Sequence, residues 1–432
     1  MYHIQIIYNL KFFKMKKSFL SLFIIGALFS SCSNDDSPID SPENVGELTT
    51  KLSFAEADGN SVRAALSTAI PITNWSNIKQ VQMFLYDATG KVAYSQTITP
   101  TASNLNFTWT NIPIGTNYNL AIVANAKSSS DNIYTSLDGG TNGVEWGNYN
   151  VKSKNINSQI WMGLKPLAAF PTAYNAKKET NDKPYAEASE IFTAYASNVT
   201  IAQGVTTDLS GSPLQLKRDV SLLRVRVDKS DAKLAGVNFA HANTSILIHR
   251  QPVGLGLKLG SFAGGIYATA SNPDHIMVAA SGASTFKTTD PTTTTHNPTK
   301  IIDTNFSLWR DIVVFPNATM AEVAAGKLPS GLADNARKYF IMISARTPDN
   351  ISVANPYKLD DGTVLTAAAD LFWWATVNEV FLSNNIREVN ITIKSSGSIT
   401  PPVNPTEEGG LKITVSAPLP WNSEIQSTNT EV

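Results

Sequence analysis

The stretch Val81-Gln82-Met83-Phe84-Leu85-Tyr86-Asp87-Ala88-Thr89-Gly90 decides the fold class. Val81, Met83 and Leu85 alternate with Gln82, Phe84 and Tyr86, which is the period of a strand and not of a helix. Asp87-Ala88-Thr89-Gly90 then supplies turn chemistry, Gly90 being able to take the left-handed conformation, and Val92 and Tyr94 resume the alternation as a hairpin partner.

The same pattern continues outward. Leu105, Phe107 and Trp109 form another period-two set, Pro113 and Gly115 punctuate a turn, and Tyr118, Leu120, Ile122 and Ala124 line one face of the next strand. The polar stretches from Lys127 to Ser158 and from Asn175 to Pro184 read as surface loops. Ser210-Gly211-Ser212-Pro213 marks a composition break, after which Leu214, Leu216, Val220, Leu223, Val225 and Val227 restart the strands, with Arg224 and Arg226 expected to face out.

Beyond the break, strand candidates are Ile246 to His249, Ile312 to Phe315, Tyr339 to Ala345, Val377 to Leu382, Val389 to Ile393 and Leu411 to Val415. A Thr-rich segment from Thr285 to Thr299 reads as a long exposed loop, and a short helix is expected near Met320 to Ala325. Many short strands separated by turns favour sandwiches over a βαβ fold, so the expected class is all-β.

Lys16 and Lys17 precede an apolar run from Phe19 to Phe29, followed by Ser30, Ser31 and Cys32. The run is shorter than the ~20 apolar residues of a spanning helix, and the order of basic, apolar and small residues is that of a cleavable secretory signal. Cys32 is the only cysteine, so it has no disulfide partner. Phe29-Ser30-Ser31-Cys32 resembles the lipobox of bacterial lipoproteins, with Phe29 in place of the usual Leu, which implies a lipidated, palmitate-bearing Cys32 on the outer membrane. Ser33-Asn34-Asp35-Asp36 resembles the acidic tag that directs lipoproteins of Bacteroidales-type bacteria to the cell surface.

The expected organisation is a signal peptide over 1–31, with translation starting at Met15, a flexible tether over 32–47, and β-sandwich domains over 48–209 and 210–432. The net charge of −1, with Lys and Arg scattered, gives no basic face for nucleic acid. Gly254-Leu255-Gly256 lacks the third glycine of a dinucleotide loop. His241, His249, His275 and His296 are spread without metal-ligand spacing and read as polar surface histidines. No Gly-x-Ser-x-Gly elbow is present, and nothing singles out a pair of carboxylates. The expectation is therefore no catalysis, no metal and no cofactor.

Two aromatic groups remain open between core packing and sugar stacking: Phe372-Trp373-Trp374, whose flanks are apolar, and Trp146 with Tyr149 in a polar stretch. If Trp146, Tyr149 and Trp374 stack on sugars, the chain is a surface glycan-binding lipoprotein of a nutrient-uptake system.

The ordered set of Val81 to Gly90, Leu120-Ala121-Ile122-Val123-Ala124-Asn125, Leu216-Lys217-Arg218, and Leu411-Lys412-Ile413-Thr414-Val415 followed by Trp421 resembles the fimbrillin family, or type V pilins. The resemblance covers nearly the whole chain behind Cys32. It implies two tandem transthyretin-like, immunoglobulin-like β-sandwich domains, lipoprotein export, and trimming after an arginine by an Arg-specific protease. Ser61-Val62-Arg63-Ala64-Ala65 sits where that bond falls, making Arg63 and Ala64 its flanks. Trimming would remove a first strand around Leu48 to Phe54 and leave a groove for a strand of the next subunit, with Leu411, Ile413 and Val415 as candidate plugs. The implied partners are copies of itself, other pilin subunits, the processing protease, and host or bacterial surface ligands met by the fibre. An anchor-type subunit would instead keep its lipid and stay uncut.

Overall fold

A computed structural model of the chain describes residues 44–54, 78–100, 106–125, 133–135, 144–145, 151–165, 167–175, 183–250, 254–258, 261–266, 275–288, 306–318, 338–402, 409–415 and 419–420. Cys32, Arg63, Ala64, Trp146 and Tyr149 lie outside these residues, as do the signal, most of the tether and the candidate helix near Met320.

The expected all-β class is what forms. Seven strands make the first sheet: β1 (Val45–Phe54), β2 (Gln80–Tyr86), β3 (Val92–Ile98), β4 (Asn106–Pro113), β5 (Gly115–Asn125), β10 (Ile191–Ile201) and β11 (Thr206–Arg218), in the order β3-β2-β5-β10-β11-β1-β4. The hairpin read from the sequence is β2 and β3, paired from Val81↔Ile98 to Leu85↔Tyr94, with Gly90 at φ +88° in its turn. The sheet curls over one core, because Val81, Met83 and Leu85 meet Leu120, Ile122, Phe192, Ala194, Trp109 and Leu48 inside it. Its two outer strands approach each other where the Tyr94 hydroxyl donates to the Thr110 carbonyl at 2.5 Å.

Three further sheets follow. One holds β12 (Ser221–Asp228), β17 (Leu308–Val314), β22 (Asn385–Ile393), β23 (Leu411–Val415) and β24 (Leu419–Pro420). A second holds β9 (Lys183–Ala186), β13 (Ser245–His249), β16 (His275–Ser281), β18 (Tyr339–Arg346) and β21 (Asp370–Val377). Between these two sheets Leu223, Val225, Ile246, Ile341, Trp373 and Ile391 share a core. The third holds β6 (Ile133–Thr135), β7 (Val144–Glu145), β8 (Trp161–Gly163), β14 (Gly254–Lys258) and β15 (Ser261–Ile266), and a small hairpin joins β19 (Tyr357–Lys358) to β20 (Val364–Leu365).

Both faces of β2 are used. Phe84 and Tyr86 turn away from the first core into another that also takes Ile156, Met162, Leu222, Val313 and Ile386, so the first sheet is packed onto the rest of the body. This explains why the polar stretch from Lys127 to Ser158 is not a plain surface loop. It contributes β6 and β7, and Val151 and Ile156 are buried, pinned by Val92 N donating to Lys154 O at 2.9 Å and Ile156 N donating to Gly90 O at 2.8 Å.

Several other expectations are corrected. Arg224 and Arg226 do not face out: every residue of β12 is buried, because β12 runs between β17 and β22 with both of its faces covered. The strand expected from Val377 to Leu382 ends at Val377 and begins at Asp370. Phe381 is apolar for another reason, being buried against Tyr339 with ring centroids 4.8 Å apart. His249 is a core residue flanked by Tyr174 and Phe340, not a surface histidine. Thr285, the start of the Thr-rich segment, is fully buried and donates to the Thr244 carbonyl at 3.0 Å. Ser210 to Pro213 lie within β11, whose register against β1 slips between Leu209 and Leu214. The chain leaves the first sheet later, at Asp219 and Val220, and Val45 to Glu47 already belong to β1.

Candidate functional site

The site lies in the first sheet, where β1 is seated between β11 and β4. On one side β1 pairs parallel to β11, from Glu47↔Thr206 to Phe54↔Leu216; on the other it pairs antiparallel to β4, from Val45↔Pro113 to Lys51↔Asn106. The pairing with β11 is parallel in a part of the sheet whose other ladders are antiparallel, and parallel ladders are slightly weaker per residue. The chain distance matters as much. β1 is the first described strand and β11 the last of this sheet, and the edge strand β4 pairs with β1 alone, so β1 joins β4 to the rest of the sheet.

Period two sorts its side chains. Leu48, Thr50 and Leu52 point inward with no exposed surface, while Glu47 is exposed and Thr49, Lys51 and Ser53 are half-buried. The two leucines enter the core beside Val81, Met83, Ile122 and Trp109. Burying each stabilises β1 by about 1.5–3 kcal/mol. The middle inward position is polar by design of the pocket: the Trp109 indole Nε1 donates to Thr50 Oγ1 at 3.0 Å, and Phe107 stacks on Trp109 with centroids 5.8 Å apart. An indole N–H sealed in a core needs such an acceptor.

Both ends of the slot are closed. At the start, Gly46 has no room for a side chain, since a Cβ there would collide with the Ala202 carbonyl and the Ile201 side chain. Glu47 accepts the Thr206 hydroxyl at 3.0 Å. At the far end, two residues past the Phe54 partner Leu216, Arg218 lies over the Phe192 ring at 5.0 Å and donates to Glu190 at 2.6 Å and to Asn384 at 2.8 Å. Burial pushes the Glu190 carboxyl up to about 7 even against the opposing pull of the Arg218 charge and hydrogen bond. Asp219, next in the chain, is also raised well above the usual carboxylate range by burial, and the Thr193 hydroxyl donates to it at 2.5 Å.

The other residues singled out from the sequence fall elsewhere. Leu411, Ile413 and Val415 form one face of β23, which pairs with β22 of the same chain from Ile393↔Leu411 to Val389↔Val415 and packs on the core between the sheet of β12 and the sheet of β13. Trp373 is fully buried, and its indole donates to Ser395 O at 3.0 Å. Trp374 is half-buried against Phe170, Tyr174, Phe340 and Phe372, and Gly409 lies so close to its ring that a Cβ could not fit. Among the described residues no group of three His, Cys, Asp or Glu side chains is placed to hold a metal ion. The Thr50 to Trp109 pair was not foreseen; its signal was a hydroxyl at an inward position of an otherwise apolar strand.

The arrangement is not one for covalent chemistry. It is a strand held by two ladders, two apolar sockets and one polar contact.

Comparison with known proteins gives a family. The profile described as fimbrillin-A associated anchor proteins Mfa1 and Mfa2 matches residues 36–307. Among solved structures, a protein of Bacteroides eggerthii described as a cell adhesion protein is 13% identical, with 88% of this chain and 97% of that chain covered and a TM-score of 0.44. A fimbrilin of Porphyromonas gingivalis is 13% identical over 88% of this chain and 98% of that one, with a TM-score of 0.39. The tip fimbrial protein Mfa3 of the same organism is 12% identical over 86% and 98%, with a TM-score of 0.31. No curated protein sequence matches.

Proposed function

Since the chain belongs to the family of the fimbrillin-A associated anchor proteins Mfa1 and Mfa2, we propose that it is a structural subunit of a cell-surface fimbria whose β1 is a removable strand. The chain is exported as a lipoprotein on Cys32, cut between Arg63 and Ala64, and polymerised by a strand of the next subunit entering the place of β1. Adhesion follows from display on the fibre.

The observation that carries this reading is the seat of β1 between β4 and β11. Its loss strips both neighbours of a ladder and empties the sockets of Leu48 and Leu52, and an unpaired strand edge over an apolar pocket binds another strand. A contact of that kind between unlike surfaces does not close on itself, so it extends into a filament.

The family, named for anchor proteins, favours one variant, an anchor subunit that keeps Cys32 and β1. The same experiment treats both. Purified chain is incubated with an Arg-specific protease and followed by mass spectrometry and gel electrophoresis. A fibre subunit loses everything before Ala64 and forms a ladder of oligomers, and Arg63→Ala abolishes both. An anchor stays whole at Arg63. If Arg63→Ala alters neither cutting nor polymerisation, the removable-strand reading fails.

A glycan-binding role fits less well at Trp374, whose ring is covered on one side by Gly409 and packed on the other residues of its cluster. Affinity electrophoresis on polysaccharides with Trp374→Ala and Trp146→Ala tests it: binding lost in either variant would revive that role.

A further inference from the structure

We infer that Glu187 is an edge guard: its carboxylate occupies the outer backbone edge of β17 and keeps that strand from pairing with β17 of a second copy of this chain. The inference concerns a chain with β1 seated, so it stands or falls apart from the removable-strand reading.

β17 ends its sheet, with β12 on its inner side. It is the kind of edge that adds strands: its residues from Leu308 to Val314 are buried except for Arg310, and Ile312-Val313-Val314 is a strongly strand-forming run. Backbone N–H groups of a strand turn to alternate sides, and those of Trp309 and Val313 turn outward, away from β12. At Trp309 the outward groups meet main chain, N donating to Lys287 O at 3.0 Å and O accepting from Lys287 N at 2.9 Å. Four residues on, about 13 Å along the strand, the acceptor is a side chain instead. There Val313 N donates to Glu187 Oε1 at 2.9 Å.

The sheet that shares a core with this one closes its edges differently. β21 is bridged by Ser398 at Phe372 and by Gly409 at Trp374, while β9 gives its Pro184 carbonyl to Leu167 N and takes the Lys165 carbonyl at Ala186 N. Main chain covers both of those edges; at Val313 a carboxylate stands in for it. Glu187 is held for that purpose, since Arg310 donates to its Oε2 at 3.3 Å, Ala186 is tied to Lys165, and Ala188 is buried in the core that also takes Val313. A charge set across an edge deters pairing, because an incoming strand has to displace it. The strand so excluded is β17 of another copy. Two such edges are alike and pair antiparallel about a two-fold axis, each offering the other its outward groups around Val313.

The test uses the full chain carrying Arg63→Ala, so that β1 stays attached, and reads hydrogen exchange at the Val313 amide by mass spectrometry alongside molecular mass by light scattering at rising concentration. In Glu187→Ala, and in Glu187→Asp, whose carboxylate falls one methylene short of the strand, dilute protein exchanges Val313 about tenfold faster. As concentration rises these two variants dimerise and Val313 regains protection, because the partner's edge now supplies the acceptor. Glu187→Gln, which keeps an oxygen for Val313 N–H and drops the charge, stays monomeric with exchange within about twofold of the unaltered residue. Unchanged exchange in both Glu187→Ala and Glu187→Asp overturns the hold of the carboxylate on the edge. Faster exchange in a chain that stays monomeric, or dimers in which Val313 still exchanges fast, overturns the guard against a second copy. Glu187→Gln behaving as Glu187→Ala overturns it too, since the contact is then an ion pair with Arg310 and not a cap on the strand. If Glu187→Ala exchanges quickly throughout β12 and β22 the sheet itself has loosened, and Glu187→Asp decides by the same criteria.

Discussion

Arg224 grips Asp311 with two hydrogen bonds, Nε to Oδ1 at 2.8 Å and an NH2 group to Oδ2 at 3.2 Å, across the β12 to β17 ladder and out of contact with solvent. On the other side Arg226 donates to Glu388 of β22 at 2.8 Å. Removing Asp311 takes the two close hydrogen bonds from a buried guanidinium whose other carboxylate, Glu388, stands farther off at 3.8 Å, so Asp311→Ala is expected to cost about 3–5 kcal/mol. The double replacement Arg224→Met with Asp311→Leu, which leaves no charge behind, costs markedly less than Asp311→Ala alone. Urea unfolding of the three proteins checks this; equal loss in both variants would mean the pair itself holds the sheet.

Those arginines also mark where sequence reading stops. The alternation in Leu223, Val225 and Val227 was legible, and so was the strand, but the pattern of polar residues between them reads as solvent only when one face of a strand is wet. β12 is wet on neither face. The hairpin at Gly90 was legible because its turn chemistry is local, spanning Asp87 to Lys91. The pair that defines the slot was not, because Thr50 and Trp109 are separated by 59 residues and only the β1 to β4 register brings them together. His249 misled for a related reason: its polarity is invisible to the aromatic rings that enclose it until β18 and the turn of helix α1 (Thr172–Asn175) are in place.

The buried His249 makes stability depend on pH. Desolvation, followed by the neighbouring Arg250 charge, lowers its pKa to about 3, and its Nε2 is buried without a hydrogen-bond partner among the described residues. The unfolded chain takes up a proton near pH 6.5, the folded one near 3, so the neutral ring contributes stability that is present above pH 6.5 and is lost as pH falls toward 3. Between pH 6.5 and 4.5 the loss is about 2–3 kcal/mol. The difference in urea midpoint between the native chain and His249→Phe should therefore drift against the native chain as pH falls. A pH-independent difference would show that the ring is not held neutral by the fold.

Gly409 and Gly410 fix the approach of β23. Gly409 lies on the Trp374 indole, its N–H donating to Trp374 O at 2.9 Å, and Gly410 has φ +79° with Ser395 beside it. A Cβ at 409 has nowhere to go, since the ring it meets is packed on Phe340 and Phe372. Gly409→Ala is expected to loosen β23 by about 1–3 kcal/mol while leaving the first sheet intact. Hydrogen exchange resolves the two: amides from Leu411 to Val415 lose protection and those of β2 and β5 keep it. Loss of protection in both would point to a global effect.

The hold on β1 is graded along its length, and that gradient sets how easily it leaves. Leu48 and Leu52 have no exposed surface and no polar contact of their own, so their truncation is a cavity problem: about 2–5 kcal/mol each for Leu→Ala. Thr50→Val keeps the shape and loses the acceptor for Trp109, which costs about 1–3 kcal/mol. In a chain cut after Arg63, both kinds of variant release the N-terminal fragment faster than the native sequence, and Leu48→Ala releases it faster than Thr50→Val. Lys51→Ala serves as the control, because Lys51 lies on the outward face and only half-buried, so its release rate stays within about twofold of the native one. In the uncut chain the order of destabilisation persists but the fragment stays attached, so unfolding midpoints fall without any strand being lost. If Leu48→Ala and Lys51→Ala release β1 at the same rate, the sockets do not hold the strand, and its two ladders alone must.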